Sequence, residues 1–278
     1  VESSFAKVQH NYIGTTADGA SALPNGTGVR ISDSTDALIG GTTANAGNVI
    51  SGNTTHGIVI EGDTAFGNTV QGNIIGLSAF GTDALANGGD GVRIAAPVTD
   101  TVVGGTTSAA RNVISGNGGA GVWIGGDFNL VQGNYIGLNA AGTATVGQPV
   151  GVAIDAGDDN LIGGFVASAA NVIAGNGDGL RVANGAKNNL VYRNIIGARP
   201  GGIVAAPNTN GVSIGSGATL NSVGAPGEGN LIPFNSGTGV VVDGGLGHRH
   251  GQCAGSGEHS RGHSGAPDRD PVLHHEQS

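Results

Sequence analysis

The chain has one cysteine, Cys253, no methionine, nine prolines, 4% aromatic residues and only 11% charged residues. A lone cysteine leaves no intrachain disulfide framework and no multi-cysteine zinc site. No run of roughly 18 apolar residues is present to span a membrane, and the chain opens at Val1 without a methionine or a signal-type apolar segment, as a mature form or a fragment does. Eleven Lys and Arg are scattered among twenty Asp and Glu, for a net charge of −9. With no basic stripe to neutralise phosphates, this balance argues against a nucleic-acid partner. It also argues against disorder, because 38% of the residues are hydrophobic and little self-repulsion opposes their burial.

Glycine is what the chain has in excess. Its 56 copies are about three times the usual ~7% share and lack the G-X-Y period of collagen. They punctuate an internal repeat. VQHNYIG from Val8, VQGNIIG from Val70, VQGNYIG from Val131 and VYRNIIG from Val191 recur at offsets of 62, 61 and 60 residues. Interleaved with them stand GNVISGN at Gly47, RNVISGN at Arg111, ANVIAGN at Ala170 and GNLIPFN at Gly229. A third motif, G-V-x-I or a close variant, starts at Gly28, Gly57, Gly91, Gly121, Gly151, Gly179, Gly211 and Gly239, a step of about 30 residues.

Each step holds three short apolar runs separated by Gly, Asn, Asp and Thr clusters, which predicts three strands and three turns. Such a strand pairs with its counterpart one coil away at ~4.8 Å, so eight coils make a rod roughly 35–40 Å long. From Ala6 to Gly245 the pattern resembles the right-handed parallel β-helix repeat proteins of bacteria, which share the pectate-lyase-like architecture. The expected fold class is therefore all-β: a single right-handed parallel β-helix, or β-solenoid, of about eight three-stranded coils over residues 1–245. Residues 246–278 are expected to form a separate, non-repeat tail.

Stacking in register turns equivalent residues into columns. The third-strand isoleucines, from Ile13 and Ile50 to Ile196 and Ile232, are expected inside. Two positions earlier stands a constant asparagine: Asn11, Asn48, Asn73, Asn112, Asn134, Asn171, Asn194 and Asn230. Asparagine tolerates the left-handed backbone of a tight turn, and its amide both donates to and accepts from adjacent coils, so this column is read as a structural asparagine ladder. A looser row at Asn68, Asn129, Asn160, Asn189 and Asn221, with Ala6, Ala37 and Thr101 as departures, serves the turn before the second strand. Alternate coils carry inserts on one side or the other of the third strand. The inserts are expected to cover its apolar outer face with Leu77, Phe80, Leu85, Leu138, Val146 and Phe165.

The first strand offers the varied outward face. Its column reads Arg30, Val59, Arg93, Trp123, Ala153, Arg181, Ser213 and Val241, flanked two residues on by Glu61 and Asp155, with Asp90 and Asp178 just before their own motifs. One coil spacing is expected to set Glu61 beside Arg93, Arg93 beside Trp123, and Asp155 beside Arg181. Glu61, Asp90, Arg93 and Trp123 are the candidate substrate-binding residues, with the indole stacking on a sugar ring and Arg and Asp hydrogen-bonding hydroxyls or a uronate. Solvated ladder pairs would read the same way.

The resemblance implies cleavage of acidic polysaccharide, which in many members uses Ca²⁺ held by several carboxylates with an Arg or Lys base. The nearest candidates for catalysis are Asp155, Asp178 and Arg181, although no matching acidic cluster is visible. The expected function is a secreted or cell-surface solenoid that binds polysaccharide or serves as a structural rod. A polysaccharide lyase or glycoside hydrolase on the same scaffold is the alternative. Uniform repeats favour the former, since a catalytic site normally breaks the repeat locally.

After Gly245 the composition changes, with six of the eight histidines in the remainder. A metal reading takes His248, His250 and Cys253 as ligands. Their irregular spacing instead favours a disordered, vector-derived or out-of-frame tail, and no cofactor is assigned. Uncapped solenoid ends lead to an expectation of end-to-end self-association.

Overall fold

The structure is a computed structural model that describes residues 4–215 and 217–244 and the backbone of 249–250. Apart from the backbone of 249–250, the expected tail, with the side chains of His248, His250 and Cys253, lies outside the described residues.

Among the described residues, the strands form three parallel sheets of eight, nine and seven strands, and within each sheet every neighbour comes from the adjacent coil. The first sheet stacks Val29–Ser32, Ile58–Glu61, Val92–Ile94, Ala120–Ile124, Val150–Asp155, Asp178–Ala183, Asn210–Ile214 and Val240–Val242. The second begins at Lys7–Val8 and ends with Arg249–His250, and the third runs from Tyr12–Ile13 to Ile195–Ile196. The chain is thus a β-solenoid of eight coils. Register is strict: Arg30 pairs with Val59, Val59 with Arg93, Arg93 with Trp123, Trp123 with Ala153, Ala153 with Arg181, and Arg181 with Ser213.

Alternation along each strand sends the β-branched column inward. Ile50, Ile75, Ile114, Ile136, Ile173 and Ile196 are all 0% exposed, and burying such a side chain stabilises by roughly 1.5–3 kcal/mol. Because the strands are only two to six residues long, corners decide whether the coils close. Gly163, at φ +93°, turns the chain from the second strand to the third, where a Cβ would lie 1.9 Å from the Tyr192 carbonyl oxygen. No side chain fits there.

The asparagine ladder is present. The Nδ2 of Asn134 donates to the Val103 and Gln132 carbonyls at 2.9 and 3.0 Å and to Asn171 Oδ1 at 3.0 Å, while its Oδ1 accepts from the backbone N–H and Nδ2 of Asn112. In alternate coils the left-handed residue is the one before the ladder, not the ladder asparagine: φ is +59° at His10, +70° at Gly72 and Gly133, and +59° at Arg193. The looser row is also a ladder, with Asn129, Asn160 and Asn189 each donating to the next Oδ1 at 3.1, 3.0 and 2.9 Å.

A third ladder, not anticipated from the sequence, closes the corner between the third strand and the next first strand. It runs through Asn25, Asn53, Asn87, Asn117, Gln148, Asn176, Asn208 and Asn235. Gln148 spoils it. The longer side chain satisfies Asn117 and the Ile114 carbonyl but leaves Asn176 Oδ1 buried without a partner.

Thr101 is the corresponding flaw in the second ladder. It is 0% exposed, and its hydroxyl is unpartnered. An asparagine there has Asn68 below and Asn129 above to join. Thr101→Asn is expected to stabilise by about 1 kcal/mol, the net worth of a regained hydrogen bond, seen as a higher midpoint in urea unfolding; a lower midpoint would contradict it.

The inserts cover the third sheet in part. Hairpin-like loops closed by Thr15–Ala22, Leu77–Ala84, Leu138–Thr145 and Ala198–Ala205 bridges lean on one another, as where the Ala140 N–H donates to the Gly81 carbonyl at 2.8 Å. Leu77 and Leu138 are 0% exposed, as covering side chains should be. Phe80 and Phe165 are not covering residues: they stand 70% and 59% exposed. Phe80 sits in the turn of its insert loop, and Phe165 meets Tyr192 edge-on, with ring centres 5.8 Å apart.

Candidate functional site

On the outer face of the first sheet, strict register gathers side chains from successive coils. Arg93 is the centre. Its Nη1 donates to Asp90 Oδ2 at 2.9 Å, and its guanidinium lies 3.7 Å from the centre of the Trp123 ring. Asp90 is itself fixed, since its Oδ1 accepts the Ala120 N–H at 2.8 Å and its backbone N–H donates to His56 Nδ1 at 2.9 Å. Arg93 follows Asp90 by three positions, so the cation takes the carboxylate at its own strand's corner.

This pairing corrects one expectation. Glu61 does not meet Arg93; it pairs with Arg30, whose Nε and Nη2 both reach it. Arg30 sits one coil below on a largely exposed side chain free to reach across, while Arg93 is already held by Asp90 and Trp123.

The Trp123 indole lies over Gly125, where a Cβ would meet Cη2 at 2.6 Å. Ala120, Val150 and Ala153 pack against it, and its Nε1 donates to Asp155 Oδ2 at 3.3 Å. One indole face therefore carries Arg93, and a sugar reaching that face would have to displace the guanidinium. Asp155 also accepts from the Asn184 amide. No ion pair joins Asp155 to Arg181; the indole and amide occupy the carboxylate, and the exposed Arg181 has no side-chain partner among the described residues.

Nor do Asp155 and Asp178 form an acidic pair. Val150 pairs with Asp178 and Asp155 with Ala183, so the two aspartates stand at opposite ends of paired strands. Five residues of strand place them roughly 16 Å apart, beyond the ~5–9.5 Å at which two carboxyls flank one glycosidic bond. Asp178 is bonded to Asn210 at 3.0 Å. Among the described residues no three His, Cys, Asp or Glu side chains converge as a metal-holding group. The Ca²⁺ that the pectate-lyase-like resemblance implied does not fit Asp155 and Asp178, which stand too far apart to share an ion.

Two members of this face were missed from sequence. His56 precedes Gly57 as Asp90 precedes Gly91, so its column position was legible. Asn184 lies in a turn with φ +55°, and no sequence signal tied it to Asp155. His56, Arg30, Glu61, Arg93, Val59 and Thr27 line a shallow depression of about 240 Å³. A depression of about 340 Å³ on the third-sheet side, between Thr43, Val49, Ile74 and Ala109, has no charged side chain in its lining.

The chain is a right-handed parallel β-helix with a charged and aromatic outer face on its first sheet. No protein-family model matches its sequence, and no curated protein does. Among solved structures, a double mutant of the periplasmic alginate epimerase AlgG aligns with a TM-score of 0.52 and 16% identity over 81% of this chain and 47% of the other. AlgG without substitutions gives 0.46 and 18% over 79% and 47%, and the A-module of a mannuronan C-5 epimerase from Azotobacter vinelandii gives 0.38 and 14% over 87% and 64%. The first alignment carries the fold. This chain spans about half the length of AlgG.

Proposed function

We propose that the outer face of the first sheet binds an extended polysaccharide lying along the solenoid axis. The observation that carries this is the Asp90–Arg93–Trp123 unit, an arginine fixed on one side by a carboxylate and beneath by an indole. A guanidinium held this way keeps spare donors in a set direction without paying rotamer entropy when a ligand arrives. Arg30 and Arg181 continue the same column on either side, and successive coils repeat at ~4.8 Å, comparable with the length of one sugar unit along an extended chain. Helices of this class are at work on polysaccharide in the alginate epimerases named above, which agrees with a glycan ligand and with a place outside the cytoplasm.

Binding without cleavage is the favoured reading because the acids of the face are committed to structure, Asp90 to Arg93, Glu61 to Arg30 and Asp155 to Trp123 and Asn184. One observation favours a catalytic reading: His56 spends Nδ1 on the Asp90 N–H, so its Nε2 is left for proton transfer at the rim of the depression. A polysaccharide screen, with and without Ca²⁺, that scores retention and product together separates the two. Retention with neither unsaturated product nor new reducing ends is the expected result; product formation would establish an enzyme.

A further inference from the structure

We infer that the depression between Arg30 and Arg93 is a subsite for a single neutral pyranose residue, an inference that rests on the glycan-binding reading of the same face. Its floor is Val59, which pairs with Arg30 on one side and Arg93 on the other. The two arginines stand two coils apart, roughly 9.6 Å along the axis. An apolar floor between polar walls suits a sugar ring, which presents C–H bonds on its faces and hydroxyls at its edge.

The walls decide the charge of the ligand. Arg30 is neutralised by Glu61 and Arg93 by Asp90, so the cations of the depression are matched one for one. A uronate entering here would either displace Glu61 or Asp90 from its arginine or lie beside it as a like charge, in the field of a chain whose net charge is −9. A hydroxyl meets no such conflict. Each one donates and accepts, and an Arg–carboxylate pair offers both, with donors left on the guanidinium and lone pairs left on the carboxylate. His56 adds a further donor: its Nδ1 accepts the Asp90 N–H at 2.9 Å, so the neutral ring carries its proton on Nε2. Thr27, on the rim, donates its hydroxyl proton to Thr55 and keeps oxygen lone pairs to accept from a sugar. The site is built to read hydroxyls rather than to neutralise an acid.

The test is calorimetric titration of the whole chain with gluco-, manno- and galacto-tetraoses and with tetragalacturonate, at low and high salt. It uses wild type, Val59→Phe, Arg30→Gln and Trp123→Ala, each checked for the wild-type unfolding midpoint. Val59→Phe fills the floor from the outer face, and Arg30→Gln alters a side chain that is 67% exposed; together they guard against a folding defect in either one. A neutral tetraose is expected to bind with little salt dependence, and both variants should weaken it by tenfold or more, Arg30→Gln through the loss of one charged hydrogen-bonding partner and Val59→Phe by occupying the space of the sugar ring. Binding of tetragalacturonate alone, with affinity falling as salt rises, would overturn the neutral subsite and leave the glycan-binding face standing. So would neutral binding that Trp123→Ala removes but Val59→Phe and Arg30→Gln leave unchanged. Binding of no tetraose would overturn both readings.

Discussion

Asn134→Leu is expected to lower stability by about 4 kcal/mol, whereas Asn25→Ala, at the exposed end of the third ladder, should cost less than about 1 kcal/mol. Asn134 is 0% exposed. Its amide satisfies the Val103 and Gln132 carbonyls and Asn171 Oδ1, and its oxygen satisfies two donors of Asn112. Leucine has as many side-chain heavy atoms as asparagine, so none of the loss comes from an empty space. What remains is a set of buried polar groups with no water to turn to, each worth about 1–3 kcal/mol when left unmade. Partial relaxation keeps the total well below their sum. Asn25 engages only one coil, through bonds of 3.3 and 3.1 Å to Asn53 Oδ1, and its side chain is exposed. Urea unfolding of the two variants checks the contrast; equal losses would mean that the ladder contributes shape rather than hydrogen bonding.

The scaffold was legible in the sequence because a solenoid writes its columns at fixed offsets. The Ile and Asn of NxIG and NVISGN recur at the same place in every coil, and in the structure they sit where stacking in register puts them. The third ladder was not legible for a physical reason. Asn53, Asn117, Asn176 and Asn235 fall five residues after the main ladder, whereas Asn25, Asn87, Gln148 and Asn208 fall fourteen after it, because insert loops displace this second set along the chain. The hydrogen bonds restore a period that the letters obscure.

The candidate face was legible as a column and not as a set of contacts. Strand register places Arg93 next to Trp123, and that neighbour relation survives as a stacked pair. Which carboxylate each arginine takes depends on side-chain reach and on competing donors. Asp90 lies three positions before Arg93, at the corner that leads into its strand, and Arg30 is long and exposed enough to reach Glu61. Likewise Asp155 is claimed by an indole N–H and an amide before Arg181 can approach. Pairing by column alone could not rank these alternatives.

Trp123→Ala tests the glycan-binding face most directly. The indole positions Arg93 beneath its guanidinium and holds Asp155 through Nε1. Its removal deprives the ligand of two oriented partners, Arg93 and Asp155. A buried aromatic or arginine anchor of this kind carries about 2 kcal/mol or more of binding, close to a thirtyfold change in affinity. Arg93→Lys is the companion variant, keeping the charge but losing the planar fork and most of the stack. Both side chains lie on the outer face, so the unfolding transition should remain cooperative. The decisive measurement is affinity electrophoresis of wild type, Trp123→Ala and Arg93→Lys in gels containing a polysaccharide that retains the wild type. Retention lost in Trp123→Ala and reduced in Arg93→Lys is the predicted result, and retention equal to wild type in both would contradict the assignment of this face.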